Sequence, residues 1–166
     1  MMKQFVFFVL FFCCACMLQA QKKGIDELRY PQLVSAFYTL INQQNFWLNN
    51  TQSSLKKDFI NVIDSSANWA LNANDYHDKE LHQLAEISFT EKDSVAAKRC
   101  ELLFTDAAIS FFKDLYEGSN NNAGYDELSA TYTEIDKRII LNALVALCNR
   151  NCLEDIICSL EPANNE

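Results

Sequence analysis

Apolar residues recur along this chain at intervals of three and four, broken by short clusters of Asn, Ser and Gln, which is the periodicity of helices with one face turned inward. Tyr30-Pro31 opens the first such segment, because proline fits a helix's first turn, and Leu33, Phe37, Leu40 and Ile41 fall on one face before the polar Asn42-Gln43-Gln44-Asn45. Phe46-Trp47-Leu48 is too short for a helix and is expected as an extended strap against the bundle. Thr51 or Ser53 can cap a second helix carrying Leu55, Phe59, Val62 and Ile63. Trp69-Ala70-Leu71 continues that face up to Asn72-Ala73-Asn74-Asp75, whose side chains favour turns. A short helix from His77 to Ile87 follows.

Thr90 and Asp93 then form a capping-box signal for a long helix that runs to Gly118, where a stop is expected. In it Leu103, Ala107, Phe111 and Leu115 share one face, while Leu102, Phe104, Ala108, Ile109, Phe112 and Tyr116 cover most of the rest. A helix apolar on all sides belongs at the centre of a bundle. Thr105 and Asp106 lie in its middle, and a buried carboxylate without partners costs several kcal/mol. Asp106 is therefore expected to accept from backbone N–H groups at the start of a neighbouring helix, or to pair with a cation such as Arg99 or Arg138. No second carboxylate or histidine is held beside it by spacing, which favours a structural over a catalytic role. After a loop at 119–124, two more helices are expected, Thr133 to Asn149 and Leu153 to Leu160, the last ended by Pro162.

Composition sharpens the class. The chain has 166 residues, 49% hydrophobic, with only three Gly and two Pro, too few for the tight turns of a small sandwich or barrel. The expectation is an all-α fold, a single compact helical bundle around a buried central helix, with neither internal repeat nor linker.

Residues 1–20 differ from the rest. Lys3 precedes the uncharged apolar run Phe5 to Leu18, which ends at Gln19-Ala20; this is the pattern of a secretory signal and is shorter than the ~20 apolar residues of a comfortable membrane span. The expected division is a signal peptide over 1–20 and a helical domain over 21–166, secreted or periplasmic, with no stable membrane span after cleavage. An uncleaved anchor, or lipid attachment at Cys16, is the alternative. Without Lys3, 13 of the 14 Lys and Arg remain against 22 Asp and Glu, a net charge of −9, which argues against nucleic acid as a partner.

Four cysteines remain beyond the leader, Cys100, Cys148, Cys152 and Cys158. An exported chain with an even count suggests disulfides, for example across the Asn149-Arg150-Asn151 break, with buried free thiols as the alternative. Cys-x3-Cys-x5-Cys without a nearby histidine is not a usual zinc spacing. His77 and His82 are five residues apart and do not share a helix face, so no metal or other cofactor is expected. Trp47, Trp69 and Tyr76 are candidates for a surface that stacks on glycan or peptide, although aromatics in a small bundle more often fill its core.

Leu102-Leu103-Phe104-Thr105-Asp106-Ala107-Ala108, followed by Phe112, Asp114-Leu115 and Gly118, resembles the L-L-x-T-D-A and D-L-x-x-G segments of the helical scaffold domain on the N-terminal side of certain murein L,D-transpeptidases. Three flanking segments agree in order: Phe46-Trp47-Leu48 resembles that family's short W-L element, Leu71-Asn72-Ala73-Asn74-Asp75-Tyr76-His77 its G-L-x-P-x-D-Y-H turn, and Ser159-Leu160-Glu161-Pro162 its closing L-x-P. The resemblance covers nearly all of the chain beyond the leader.

That resemblance implies a scaffold role, with an envelope transpeptidase or peptidoglycan as partner. The enzymes of the family carry their nucleophile in a Ser-His-Gly-Cys-x-Arg signature, and neither His77 nor His82 is followed by Gly-Cys. Acyl transfer needs a thiolate, a base and an oxyanion site together, so the family's cross-linking reaction is not expected of these residues. A truncated relic of such an enzyme, and an unrelated thiol hydrolase using Cys100 or Cys158, are the competing readings.

Overall fold

A computed structural model describes residues 27–43, 45–49, 53–86, 94–117, 134–150 and 152–161. The 1–20 leader, the capping pair Thr90 and Asp93, Thr51, Gly118 and Pro162 lie outside the described residues, and the expected domain boundary at 20/21 lies there too. Among the described residues the fold is all-α: α1 (Pro31–Ile41), α2 (Ser53–Asp64), α3 (Asp78–Ala85), α4 (Ser94–Glu117), α5 (Glu134–Arg150) and α6 (Leu153–Leu160), with 3-10 turns at Ser66–Trp69 and Ala73–Tyr76.

The long helix α4 is the axis of the bundle, contacted by α1, α3, α5, α6 and the Ala73–Tyr76 turn. From Cys100 to Phe112 every residue is buried except the half-buried Leu102. Phe111 anchors one side of this axis, its ring meeting Trp69 and Tyr76 edge-on at centroid separations of 5.8 and 5.5 Å. Trp47 fills the other, tilted against Phe59 and Phe104 at 5.4 and 5.2 Å. Such aromatic pairs contribute about 0.5–1.5 kcal/mol each beyond the area they bury.

Four local expectations are corrected. Phe46–Leu48 is a turn and not an extended strap, with Asn49 N–H donating back to the Phe46 carbonyl at 3.4 Å. Trp69 does not continue the α2 face, because that helix ends at Asp64 and the chain tightens into a 3-10 turn closed by Ala70 in the left-handed region (φ 58°). Leu40 shares the periodicity of α1 but is 59% exposed; Val34 takes the core position instead. The four cysteines are free thiols rather than disulfides: Cys100 is sealed inside α4 at 0% exposure, Cys148 lies on α5, Cys152 caps α6 and Cys158 is exposed on it.

No helix among the described residues is long and apolar enough to cross a membrane.

Candidate functional site

The polar side chains of α4 form a chain of anchors along the core helix. Glu101 is 2% exposed, and its carboxylate collects four donors. Oε2 accepts from Tyr38 Oη–H at 2.8 Å and from the backbone N–H groups of Phe46 and Trp47 at 3.0 and 3.1 Å. Oε1 accepts from Leu48 N–H at 2.7 Å. Three successive amides of a turn thus converge on one carboxylate, a nest that places negative charge where their dipoles point.

Thr105, one turn further along α4, completes this clamp. Its hydroxyl donates to the Glu101 carbonyl at 2.9 Å, accepts from Trp47 Nε1–H at 3.0 Å and lies 2.8 Å from Tyr38 Oη. Burial, and after it the charge of Glu101, pushes the Tyr38 phenol far above its ordinary range, so it stays a neutral donor.

Asp106 is fully buried and turns to another segment. Its Oδ2 accepts from Arg29 N–H at 2.9 Å and its Oδ1 from Tyr30 N–H at 2.7 Å, the two amides that lead into α1. Tyr30 is the N-cap of α1, with no side-chain cap of its own, and Pro31 follows it. Asp106 therefore supplies from α4 the capping carboxylate that α1 lacks, and sits at the positive end of its dipole. This is the first of the two arrangements expected for Asp106. The second is corrected: Arg99 pairs with Glu27, at 2.9 Å between Nη2 and Oε2, and Arg138 is exposed on α5.

The remaining partner of Asp106 is His77, whose Nε2 lies 2.9 Å from Oδ2. His77 stands in the left-handed region (φ 56°) between the Ala73–Tyr76 turn and α3, a conformation that disfavours non-glycine residues by about 1–2 kcal/mol. Bonding to a buried carboxylate offsets that strain. Immediately before His77, Tyr76 Oη–H donates to Asp114 Oδ2 at 3.0 Å, and Arg29 Nη1 lies 3.5 Å from the same oxygen. Burial and then the Asp114 charge push the Tyr76 phenol above its usual range.

The segments singled out in the sequence are thus partners of one another. Thr105 holds Trp47, Asp106 holds His77 and Asp114 holds Tyr76, while Trp69 Nε1–H donates to Glu161 at 2.6 Å. Of the motif residues, Leu103 and Ala107 are core and Leu102 half-buried. The stacking surface is corrected by the same facts: Trp47 is 0% and Tyr76 1% exposed and neither offers a face, while half-buried Trp69 has its ring edge against Phe111 and its N–H engaged.

Chemically this site binds its own chain. The hydroxyls next to the His77–Asp106 pair in sequence, Thr105 and Tyr76, are engaged with Glu101 and Trp47 and with Asp114, and Cys100, six residues before Asp106, is about 9 Å away along the helix axis. Burial raises the thiols of Cys100 and Cys148 to about 11, which leaves little thiolate at neutral pH.

Sequence reasoning passed over two features. Glu101, four residues before Thr105, shares that residue's side of the helix. Asp64, Asp78 and His82 bring their ligand-type atoms within 4.8 Å of one another; the Asp78–His82 pair is an i, i+4 signal, but Asp64 joins from α2 only through packing. The hydrogen bond to Asp64, at 2.9 Å, raises the His82 pKa. The arrangement is an ion-pair clamp between α2 and α3.

A cleft of about 410 Å3 lies between Leu40 and Ile41 of α1, Phe46 of the turn and Val145 and Cys148 of α5.

Comparison with known proteins adds a family. The family model described as Scaffold domain matches residues 32–166, a span that takes in α2 to α6 and all of α1 but its first residue. No curated protein and no solved structure matches the chain significantly.

Proposed function

The chain belongs to the Scaffold domain family, the helical scaffold domain of L,D-transpeptidases, and on that premise we propose that it is a non-catalytic module of the cell envelope. It supports peptidoglycan remodelling by holding a partner transpeptidase or the wall itself, and performs no acyl transfer. The observation that carries this reading is the engagement of the family-motif side chains with one another: Thr105, Asp106 and Asp114 are each bonded to another part of the same bundle. Groups locked in this way serve rigidity, and a rigid body is what a docking platform needs.

Export is part of the proposal. It is supported by the charged start and short apolar run of residues 1–20 and by the family's association with murein enzymes. The sequence shown carries no Ser-His-Gly-Cys-x-Arg run, in keeping with a structural role.

The test is co-purification of the tagged protein with envelope L,D-transpeptidases, alongside sedimentation with isolated sacculi. Retention of an enzyme or of sacculi, with no turnover of stem-peptide substrates by the protein alone, is the expected result. Absence of both interactions, or unaided turnover, would overturn the reading.

A further inference from the structure

Asp64, Asp78 and His82 meet where the end of α2 packs against the start of α3. Asp64 is the last residue of α2, Asp78 is the first of α3, and His82 lies one turn further along α3 on the same side as Asp78. His82 Nε2 stands 2.9 Å from Asp64 Oδ1 and 3.4 Å from Asp78 Oδ1, and one ligand-type atom of each residue lies within 4.8 Å of the other two. The pair that counts on α3 is therefore Asp78 with His82, at a helical spacing of four, while His77 is committed to Asp106.

Two details separate this cluster from ordinary surface ion pairing. Asp78 Oδ1 is a buried oxygen with no hydrogen-bond partner among the described residues, which is costly for an acceptor with two lone pairs. His82 Nε2 is near it at 3.4 Å, but the one proton that nitrogen can carry is directed to Asp64. Asp64 for its part is an anion at the C-terminal end of its helix, where the backbone dipole favours a cation. A cation seated between the three groups meets both costs at once: it gives Asp78 Oδ1 a partner and neutralises charge at the negative end of α2.

The donor set selects the ion. Two carboxylates balance the charge of a divalent cation, and the imidazole nitrogen favours a borderline transition ion over magnesium or calcium, which take oxygen ligands. Zinc bonds of about 2.0–2.2 Å at a tetrahedral angle hold ligand atoms about 3.4 Å apart. The His82–Asp78 separation is already 3.4 Å and the His82–Asp64 separation 2.9 Å, and the Asp64 side chain, 46% exposed, is free to rotate and widen the second. We propose that Asp64 Oδ1, Asp78 Oδ1 and His82 Nε2 bind one zinc-class divalent ion, with solvent completing its shell, and that the ion cross-links α2 to α3. Without such an ion the same three groups close on one another as the ion-pair clamp. The assignment stands independently of the scaffold reading.

The experiment is a titration of the untagged, chelator-treated protein with ZnCl2, followed by calorimetry and through the ring resonances of His82. One equivalent is expected to bind with a Kd on the order of 10 μM, weaker than a closed four-ligand site, and to move the His82 signals in step with the heat. A roughly hundredfold excess of MgCl2 should not displace it. Asp64→Asn and His82→Gln, both at exposed side chains, should each weaken binding at least about tenfold. Zinc should raise the urea midpoint of the unaltered protein but not that of His82→Gln. Cys158→Ser, which removes an exposed thiol that also attracts zinc, should leave the His82 response unchanged. No saturable binding below about 1 mM, zinc uptake that leaves the His82 signals unmoved, displacement by magnesium, or full affinity in His82→Gln would overturn the proposal.

Discussion

Glu101 accepts the backbone N–H of Leu48 at 2.7 Å across 53 positions of sequence. The same carboxylate takes the amides of Phe46 and Trp47, so one buried side chain of the core helix sets the geometry of a turn that has no helix or sheet to hold it. Glu101→Gln keeps the shape but replaces one acceptor oxygen with an NH2 group facing donors. A loss of about 2–4 kcal/mol is expected, measured as a lower urea midpoint with unchanged slope, together with altered Trp47 fluorescence. Tyr38→Phe, which removes one of the four donors, should cost about 1 kcal/mol.

Ser110 offers a change of opposite sign. It is 1% exposed, and its hydroxyl has no hydrogen-bond partner among the described residues. Replacing it by alanine removes a buried polar group that nothing satisfies and adds helix propensity. Ser110→Ala should therefore stabilise the domain by about 1 kcal/mol in the same denaturation assay.

The cysteines are separable by alkylation. At neutral pH, iodoacetamide should modify exposed Cys158 first, while Cys100, buried and with its thiol raised to about 11, reacts only on the timescale of unfolding. Mass spectrometry of the native protein after short labelling reads this directly. Rapid modification of Cys100 would revive a reactive-thiol reading.

A pH dependence follows from His82. Its hydrogen bond with Asp64 raises the folded-state pKa above the ordinary 6.5, against the opposing effect of burial. A raised pKa means that the pair's contribution is fully present below about 6.5 and is lost as pH rises through the folded value. The side chains are 51% and 46% exposed, so the effect on stability is small and salt-sensitive. NMR titration of the His82 ring should give an elevated pKa that Asp64→Asn returns toward 6.5.

Much of this architecture was legible in the sequence for an identifiable physical reason. The helical periodicity of α1, α2, α4 and α6 reports which faces are apolar, and the all-round apolarity of α4 marks it as the axis. Asp106 could be flagged as a buried carboxylate from its position alone. What periodicity cannot carry is the identity of a partner supplied by packing: nothing local to Asp106 points to Tyr30 or His77, and nothing local to Trp47 says that its indole N–H ends on Thr105. The aromatic surface failed for a related reason, since Trp47 and Tyr76 carry polar tips that look ready for a ligand but are satisfied inside the core. Disulfides were inferred from an even count of cysteines, which says nothing of whether their α-carbons approach; Cys100, enclosed within α4, has no outward path. Leu40 escaped its predicted burial because it stands beside the cleft between the end of α1 and α5.

The central claim is that the motif residues are structural partners, and the Asp106–His77 contact states it most sharply. The direct measurement is a double-mutant cycle in urea using Asp106→Asn, His77→Asn and the double variant, with asparagine at position 77 because it tolerates the left-handed backbone. A coupling energy of about 1–3 kcal/mol is predicted, with each single variant destabilised. Additivity of the two single changes within about 0.4 kcal/mol would show that the residues act independently and would contradict the account.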